Sequence, residues 1–390
     1  MYDGQIVFAQ LMDWVPRRPF DTCVRRYDGE RRVRRFSCRD QFLCMAFAQL
    51  TYRESLRDIE TCLRAMEAKL YHAGFRGGRV SRSTLADANE RRDWRIWSDL
   101  AAVLIDRARQ RYADQPMSVM LKQTVYAFDS TTIDLCLSLF PWAHFRRAKA
   151  AIKLHTLIDL RGNLPCFIRI THGKVHDVKA LDHLPIEPGA FYVMDRGYLD
   201  FARLYRFEQA KASFVIRAKK NLDFAVRESR KIDKTTGLRC DQTITLRGVQ
   251  SSKAYPDRLR RIRYTDPDTG KRLVLLTNCF TLDALTITRL YKARWQVELF
   301  FKWIKQNLRI KAFFGTSANA VKTQIWIAVC VYTLVVLLAK EQAVDRNPSE
   351  VLQILGIMLF EKTPIKHALT ATSENAREVD DRNQLPLFNF

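Results

Sequence analysis

The stretch TVYAFDSTTIDL, residues 124–135, decides the fold. It is β-branched and aromatic, and it interrupts a chain that reads as helical up to about residue 120. AIKLHTLIDL (151–160) and NLPCFIRITHG (163–173) continue in the same manner, separated by a turn at Arg161-Gly162-Asn163. A short helix follows at 179–184, AFYVMDRG (190–197) is a strand, LDFARLYRFEQA (199–210) a helix and ASFVIRAKK (212–220) a strand. Three strands, a helix, a strand, a helix and a strand predict a mixed sheet flanked by helices, an α+β or α/β core.

Residues 219–272 break that pattern. Short alternating runs, QTITLRGVQ and LRRIRY, are bounded by turn signals at Thr235-Thr236-Gly237 and Asp266-Pro267-Asp268-Thr269-Gly270. With 15 Lys/Arg against 7 Asp/Glu, the segment reads as a β-rich basic insertion. RLVLLTN (272–278) is one more strand, and the helix LYKARWQVELFFKWIK (290–305) follows. The expected organisation is a helical domain at 1–120, a core at 121–218 and 273–345 around the insertion, and a C-terminal helix and tail at 346–390.

The helical domain is basic. Seven Arg lie between Arg25 and Arg39, against Asp28 and Glu30. They precede the apolar helix QFLCMAFAQL, a helix at 55–70, a turn at Gly74, Gly77 and Gly78, and the polar stretch VSRSTLADANERRDW. Ser81 is the favoured N-cap of that stretch, with Ser83 as its rival. The layout is that of a helix-turn-helix DNA reader, with Arg82 as a DNA-facing candidate, though many helical hairpins share it.

Composition narrows the classes. Of 390 residues, 47% are hydrophobic, and the net charge is +23 with a pI near 9.8. Such an excess of cations steers a protein to polyanions, nucleic acid before anionic membrane. The N-terminus MYDGQIVFAQLMDW lacks a secretory pattern, and the apolar run 325–339, about 15 residues, is short of the ~20 a spanning helix needs. It reads as a core helix, and no membrane partner is expected. Nine Cys without a CxxC pair argue against disulfides or a zinc ribbon and for reduced thiols in a cytoplasmic protein.

Two acids end apolar strands: Asp129 in VYAFDST and Asp195 in FYVMDRGY. An acid there is costly unless ligated or hydrogen-bonded. Taken singly, each is as readily a turn or cap aspartate. The helix 290–305 adds a third: Tyr291, Arg294, Glu298 and Lys305 fall within about 60° of one another around the axis, over roughly 20 Å, and Lys302 joins them. A carboxylate flanked by Arg and Lys suits a polyanion held over a metal. Phosphodiester cleavage calls for two or three such acids converging on divalent ions.

The DST, DRGY and YxxRWxxExxFKxxK segments resemble the bacterial insertion-sequence transposases of the Asp-Asp-Glu type, in the group with a YREK signature. The resemblance covers roughly residues 20–340. It implies an RNase H-like core, with Asp129, Asp195 and Glu298 as catalytic residues holding Mg²⁺, or Mn²⁺ in its place. It implies that Tyr291, Arg294, Lys302 and Lys305 grip DNA near the cut, and that Arg217 in FVIRAKKN, with Lys219, lies beside DNA. Where the family often carries DREGY, this chain has Asp195-Arg196-Gly197-Tyr198. Expected partners are double-stranded DNA, as terminal inverted repeats and target, and a second copy of the chain; the setting is the bacterial nucleoid. The alternatives are a transposase-derived DNA-binding regulator without catalysis and a plain metal-dependent nuclease.

Other candidates are weaker. His172 and His176 have a spacing that could ligate zinc on a helix, but Gly173 and the preceding strand argue for a loop. His176 then stands as a site-lining candidate or half of a structural His-Asp pair with Asp177. Tyr291 lacks the Arg and His partners a tyrosine recombinase needs. Trp295, Phe300, Phe301 and Trp303 lie mostly off the cationic face and read as core. The ending Gln384-Leu385-Pro386-Leu387-Phe388 resembles the peptide by which bacterial DNA enzymes dock on the replication sliding clamp, which implies that role for Gln384, Leu385, Leu387 and Phe388.

Overall fold

The computed structural model describes residues 4–76, 79–112, 121, 123–146, 149–267, 269–307 and 313–370. They fall into two compact units, Met1–Arg111 with Ile304–Phe390, and Tyr112–Trp303.

Helices open the chain: α1 (Val7–Met12), α2 (Arg17–Arg26), α3 (Cys38–Leu50), α4 (Leu56–Ala65), α5 (Glu67–Leu70), α6 (Arg82–Arg91) and α7 (Arg95–Tyr112). A capping box starts α3: the Asp40 N–H donates to Ser37 Oγ at 3.0 Å, and the Ser37 N–H donates to the Asp40 carboxylate at 2.8 Å. Nearly every α3 residue is buried, which makes it the centre of its unit. Ser81 caps α6 as the sequence predicts, accepting from the Thr84 N–H at 3.3 Å. That helix stops at Arg91 instead of running on to Trp94, because the Asp93 carboxylate takes the Arg95 N–H at 2.8 Å and opens α7.

The second unit is built on one sheet. Its strands are β1 (Val125–Leu135), β2 (His144–Arg146), β3 (Lys149–Asp159), β4 (Leu164–His172), β5 (Phe191–Met194), β6 (Ser213–Arg217), β7 (Phe224–Ser229), β8 (Leu238–Leu246), β9 (Leu259–Thr265) and β10 (Arg272–Thr277). They lie in the order β2-β3-β1-β5-β6-β10-β9-β8-β7, with β4 also on the outer side of β3. The first three long strands pair antiparallel, and β1, β5 and β6 run parallel. This is the mixed sheet flanked by helices that the strand-helix sequence predicts, arranged as in the RNase H-like core that the resemblance implies.

The basic insertion does not stand apart from it. β10 pairs antiparallel with β6 on one side and with β9 on the other, so residues 224–265 prolong the core sheet. Gly237 makes the turn into β8 at φ +89°, where a Cβ would meet the Thr265 carbonyl oxygen at 2.4 Å. Helices α8 (Phe201–Gln209), α9 (Val249–Ala254) and α10 (Ala284–Ala293) complete the unit, and α11 (Trp295–Asn307) spans its end. Alternation along β5 sorts the apolar layers. Tyr192 and Met194 join Leu204 and Phe207 of α8 on one face, while Phe191 and Val193 join Ile287 and Leu290 of α10 on the other.

The chain then returns to the first unit with α12 (Ala318–Glu341), α13 (Pro348–Met358) and α14 (Ile365–Thr370). α12 packs on α3, α6 and α13. It extends beyond the apolar run at 325–339 and is long and apolar enough to cross a membrane. However, 94% of its most apolar stretch is buried inside the protein, the behaviour of a core helix.

Candidate active site

β1 and β5 are parallel neighbours, with Phe128 opposite Met194. The next residue along each is Asp129 and Asp195. Adjacent strands lie about 4.8 Å apart, so the two carboxylates leave the sheet side by side. Aromatic packing fixes this corner: the Tyr198 ring lies 5.0 Å from that of Phe128, directly behind Asp129.

Two residues of the 290–305 stretch reach these strand ends, and one of them brings Glu298 with it. The Tyr291 hydroxyl donates to Asp195 Oδ1 at 3.1 Å. Arg294 donates through Nη1 to Asp129 Oδ2, and through Nη2 to Glu298 Oε1 at 2.8 Å. The sequence predicts one continuous helix here, but the structure divides it into α10 and α11 at Arg294. The Arg294 N–H bonds the Tyr291 carbonyl at 3.3 Å and the Val297 N–H bonds the Arg294 carbonyl at 3.0 Å, three-residue spacings that tighten the turn. Arg294 keeps helical angles at φ −53° and ψ −26°, so the face predicted from a straight helix survives the joint.

Burial pushes the Asp129 carboxyl up to about 6; Arg294 pulls against that, while the nearby Asp195 and Glu298 add to it. Burial works to lower Arg294, but Asp129, Tyr291 and Glu298 together hold it above its ordinary value. Burial, and then Asp195, raises Tyr291 to about 12, so its hydroxyl stays a donor. Asp129 and Glu298 share the Arg294 guanidinium, which stands between them where a cation would. Among the described residues, no three His, Cys, Asp or Glu side chains close around a single point. Nevertheless, the donors are hard carboxylate oxygens, the chemistry that suits Mg²⁺ or Mn²⁺. Asp129, Asp195 and Glu298 are the residues that could hold such an ion once Arg294 moves aside.

Comparison with known proteins bears on this geometry. Residues 121–334 match the Transposase DDE domain family, and residues 3–76 match a domain of unknown function. The chain belongs to the DDE transposase family. A curated relative in Sinorhizobium fredii, named as transposase y4zB, is 32% identical over 72% of this chain and 78% of its own length. A probable transposase for insertion sequence element IS5377 in Geobacillus stearothermophilus is 30% identical over 65% of this chain and 66% of that one. A transposase of element IS4SA in Synechocystis is 25% identical over 80% and 86%.

The remaining predicted residues of this transposase are spread more widely. Lys302 and Lys305 are exposed on α11, one and two turns beyond Glu298. Arg217 ends β6 close enough to Tyr291 to offset part of the rise in its pKa, and Lys219 donates to the Leu199 carbonyl at 3.4 Å. Arg82 is exposed at the start of α6. The exposed Arg34 and Arg35 edge two cavities of about 870 and 690 Å³, both reaching Thr84 of α6, and the exposed Arg31 and Arg32 line the larger. Phe300, Phe301 and Trp303 are buried as expected, but Trp295 is not: as the first residue of α11, just past the joint, it is 59% exposed. Gln384, Leu385, Leu387 and Phe388 lie outside the described residues.

His176 is exposed, and the Asp177 carboxylate beside it pairs with Lys153 Nζ at 3.0 Å. The buried histidine here is His155, which the sequence reading missed. It stands opposite Ser130 on β3, its Nε2 2.9 Å from Thr171 Oγ1, and burial lowers it to about 4. A lone His within LHTLID looks like any strand residue. Only the register places it one strand from Asp129.

Proposed function

We propose that this transposase binds the terminal inverted repeats of its element, hydrolyses DNA at the element ends and joins the freed 3′-hydroxyl to target DNA. The observation that carries the proposal is the convergence of Asp129, Asp195 and Glu298, through Tyr291 and Arg294, on one corner of the sheet. Asp129, Asp195 and Glu298 would hold Mg²⁺, or Mn²⁺ in its place, which activates the attacking oxygen and stabilises the leaving one.

In the first step water attacks phosphorus and the bond to the 3′ oxygen breaks, leaving a 3′-hydroxyl and a 5′-phosphate. In the second, that hydroxyl attacks a target phosphodiester. One phosphodiester forms as another breaks, so no energy source and no covalent protein–DNA intermediate are needed. Tyr291 holds the Asp195 carboxylate in place by its hydrogen bond. Arg294 exchanges its carboxylate partners for a DNA phosphate, which frees Asp129 and Glu298, and Lys302 and Lys305 extend the grip along the strand. Arg217 and Lys219 contact DNA from the end of β6. The basic loop at 28–36 and Arg82 of α6 contribute to end recognition. His176 lines the site. The enzyme works in the nucleoid as a pair of chains on paired ends, and the QLPLF tail docks on the sliding clamp.

The test is a strand-transfer assay with labelled element ends and a target plasmid, with and without Mg²⁺. Nicked ends and joined products that need Mg²⁺ are the expected result. Cleavage without joining makes the protein a plain nuclease, and binding without either makes it a regulator.

A further inference from the structure

Behind Asp129 lies a polar cluster that the chemistry above does not use. Strand residues alternate faces, so Asp129 points to the α10 side, while its neighbours Phe128 and Ser130 point to the α8 side. The β1–β3 register sets His155 opposite Ser130 on that second side. His155 is fully buried, with Nε2 2.9 Å from Thr171 Oγ1 and Nδ1 4.0 Å from Asp177 Oδ1. The carboxylate favours the tautomer with its proton on Nδ1, which leaves Nε2 to accept from the threonine hydroxyl.

Lys153, two residues along the same face, closes the cluster. Its Nζ lies 3.0 Å from the same Asp177 oxygen and donates to the Val175 carbonyl at 2.9 Å. The Gly173 N–H donates to the Ala151 carbonyl at 2.8 Å, so the turn 173–177 is held down over the imidazole. Fold stability alone does not account for this arrangement. The Lys153 side chain is only 13% exposed, and an ion pair withdrawn from water seldom outweighs its own desolvation. His155 Nδ1 is buried with no hydrogen-bond partner among the described residues, although buried polar atoms are nearly always bonded.

Two observations join the cluster to the catalytic carboxylate. The Ser130 N–H donates to Asp129 Oδ1 at 2.8 Å, which leaves Oδ2, the oxygen on Arg294, as the one to take an ion. The buried Tyr198 hydroxyl is within reach of both acids: burial and then Asp129 push its pKa up, the Ser130 side chain offsets part of that, and Asp177 adds to it. Ser130 is thus backed by His155 across the strand and by Tyr198 beneath it, and any shift of Ser130 moves Asp129.

We propose that His155 is a positioning residue: held by Thr171 and the Lys153–Asp177 pair, it fixes Ser130 and, through the Ser130 N–H, the orientation in which Asp129 offers Oδ2 to a divalent ion. The proposal rests on the reading of Asp129 as a metal ligand. Groups that orient a ligand from behind typically change metal affinity about 10–100-fold when removed.

The test is calorimetric titration of Mn²⁺ into the full chain, with thermal unfolding alongside to show that each variant is folded at the titration temperature. Asp129→Asn measures binding at every other site. His155→Leu removes the Thr171 bond and keeps a side chain of similar size, His155→Gln can still accept from Thr171, and Asp177→Asn removes the charge that holds Lys153. His155→Leu should weaken the Asp129-dependent binding about tenfold, Asp177→Asn should weaken it in the same direction, and His155→Gln should stay close to wild type. Wild-type affinity in folded His155→Leu overturns the proposal, as does a Gln variant as weak as the Leu variant. If His155→Leu does not fold, Asp177→Asn decides, and unchanged affinity there overturns it. A wild type that takes up no more Mn²⁺ than Asp129→Asn overturns the metal reading itself, an outcome distinct from the others.

Discussion

Asp129→Asn should stabilise the metal-free protein while abolishing its cleavage. The folded carboxyl titrates at about 6 against an ordinary 3.8, because burial outweighs the Arg294 ion pair. The acid's pKa is raised on folding, so its contribution to stability is fully present below about pH 3.8 and is lost as the pH rises through about 6. At 1.36 kcal/mol per pH unit, the charged carboxylate costs the folded state about 3 kcal/mol at neutral pH. An amide keeps the Ser130 N–H bond, 2.8 Å in the wild type, but turns an N–H toward the guanidinium or forfeits that contact, so about half the gain is expected to survive. For a unit of this size, ~1.5 kcal/mol is about 3–6 °C in melting temperature. The assay is thermal unfolding with a chelator present at about pH 7.5 and again near pH 4, where the difference should vanish because Asp129 is itself neutral. A variant that melts several degrees below wild type at neutral pH would refute the reasoning, since the ion pair would then outweigh the burial cost. So would a gain that persists unchanged at the acid end.

Further outcomes follow from other parts of the molecule. Replacing Arg294 or Lys305 with Ala should weaken end binding and lower the slope of log affinity against log salt by about 0.9 per contact, read by anisotropy titration at several salt concentrations. Asp241→Asn should destabilise by about 3–5 kcal/mol in chemical denaturation, because Arg260, which it pairs at 2.8 Å, is left buried and charged. Truncating the chain after residue 307 removes α12 and should leave residues 1–112 unable to fold, seen as loss of the far-ultraviolet helical signal, since α3 and α6 lose the helix they pack on. A pull-down with purified sliding clamp should retain wild type and lose Leu387→Ala/Phe388→Ala; equal retention of both would dismiss the tail as a docking peptide.

Much of the catalytic unit was legible because its strands are written in β-branched and aromatic runs broken by turn residues, and because two of them end in aspartate. The cap at Ser81 and the turn at Gly237 were legible for the same local reason. What escaped depends on pairing between distant residues. That β10 joins β6 to β9 cannot be seen in either segment alone, so the sequence marks a β-rich basic insertion without showing which core strand it pairs with. Helix periodicity put Arg294 on the face of Glu298, but not between Glu298 and Asp129, because that contact spans 165 residues. His155 was invisible until the register set it beside Ser130, and Trp295 was taken for core because its exposure depends on a joint that no local pattern marks.

The shared strand β10 constrains how this enzyme can diverge. A single-residue insertion or deletion within 272–277 would slip the register on both of its borders at once, turning the β10 side chains beyond it to the opposite face and shifting the approach to α10 and Arg294. Variation should therefore collect at the far margin, on β7 and the connections on either side of it, since β7 ends the sheet among the described residues. Lineages can lengthen or shorten that margin freely, whereas the spacing from Arg261 to Glu298 must be inherited intact.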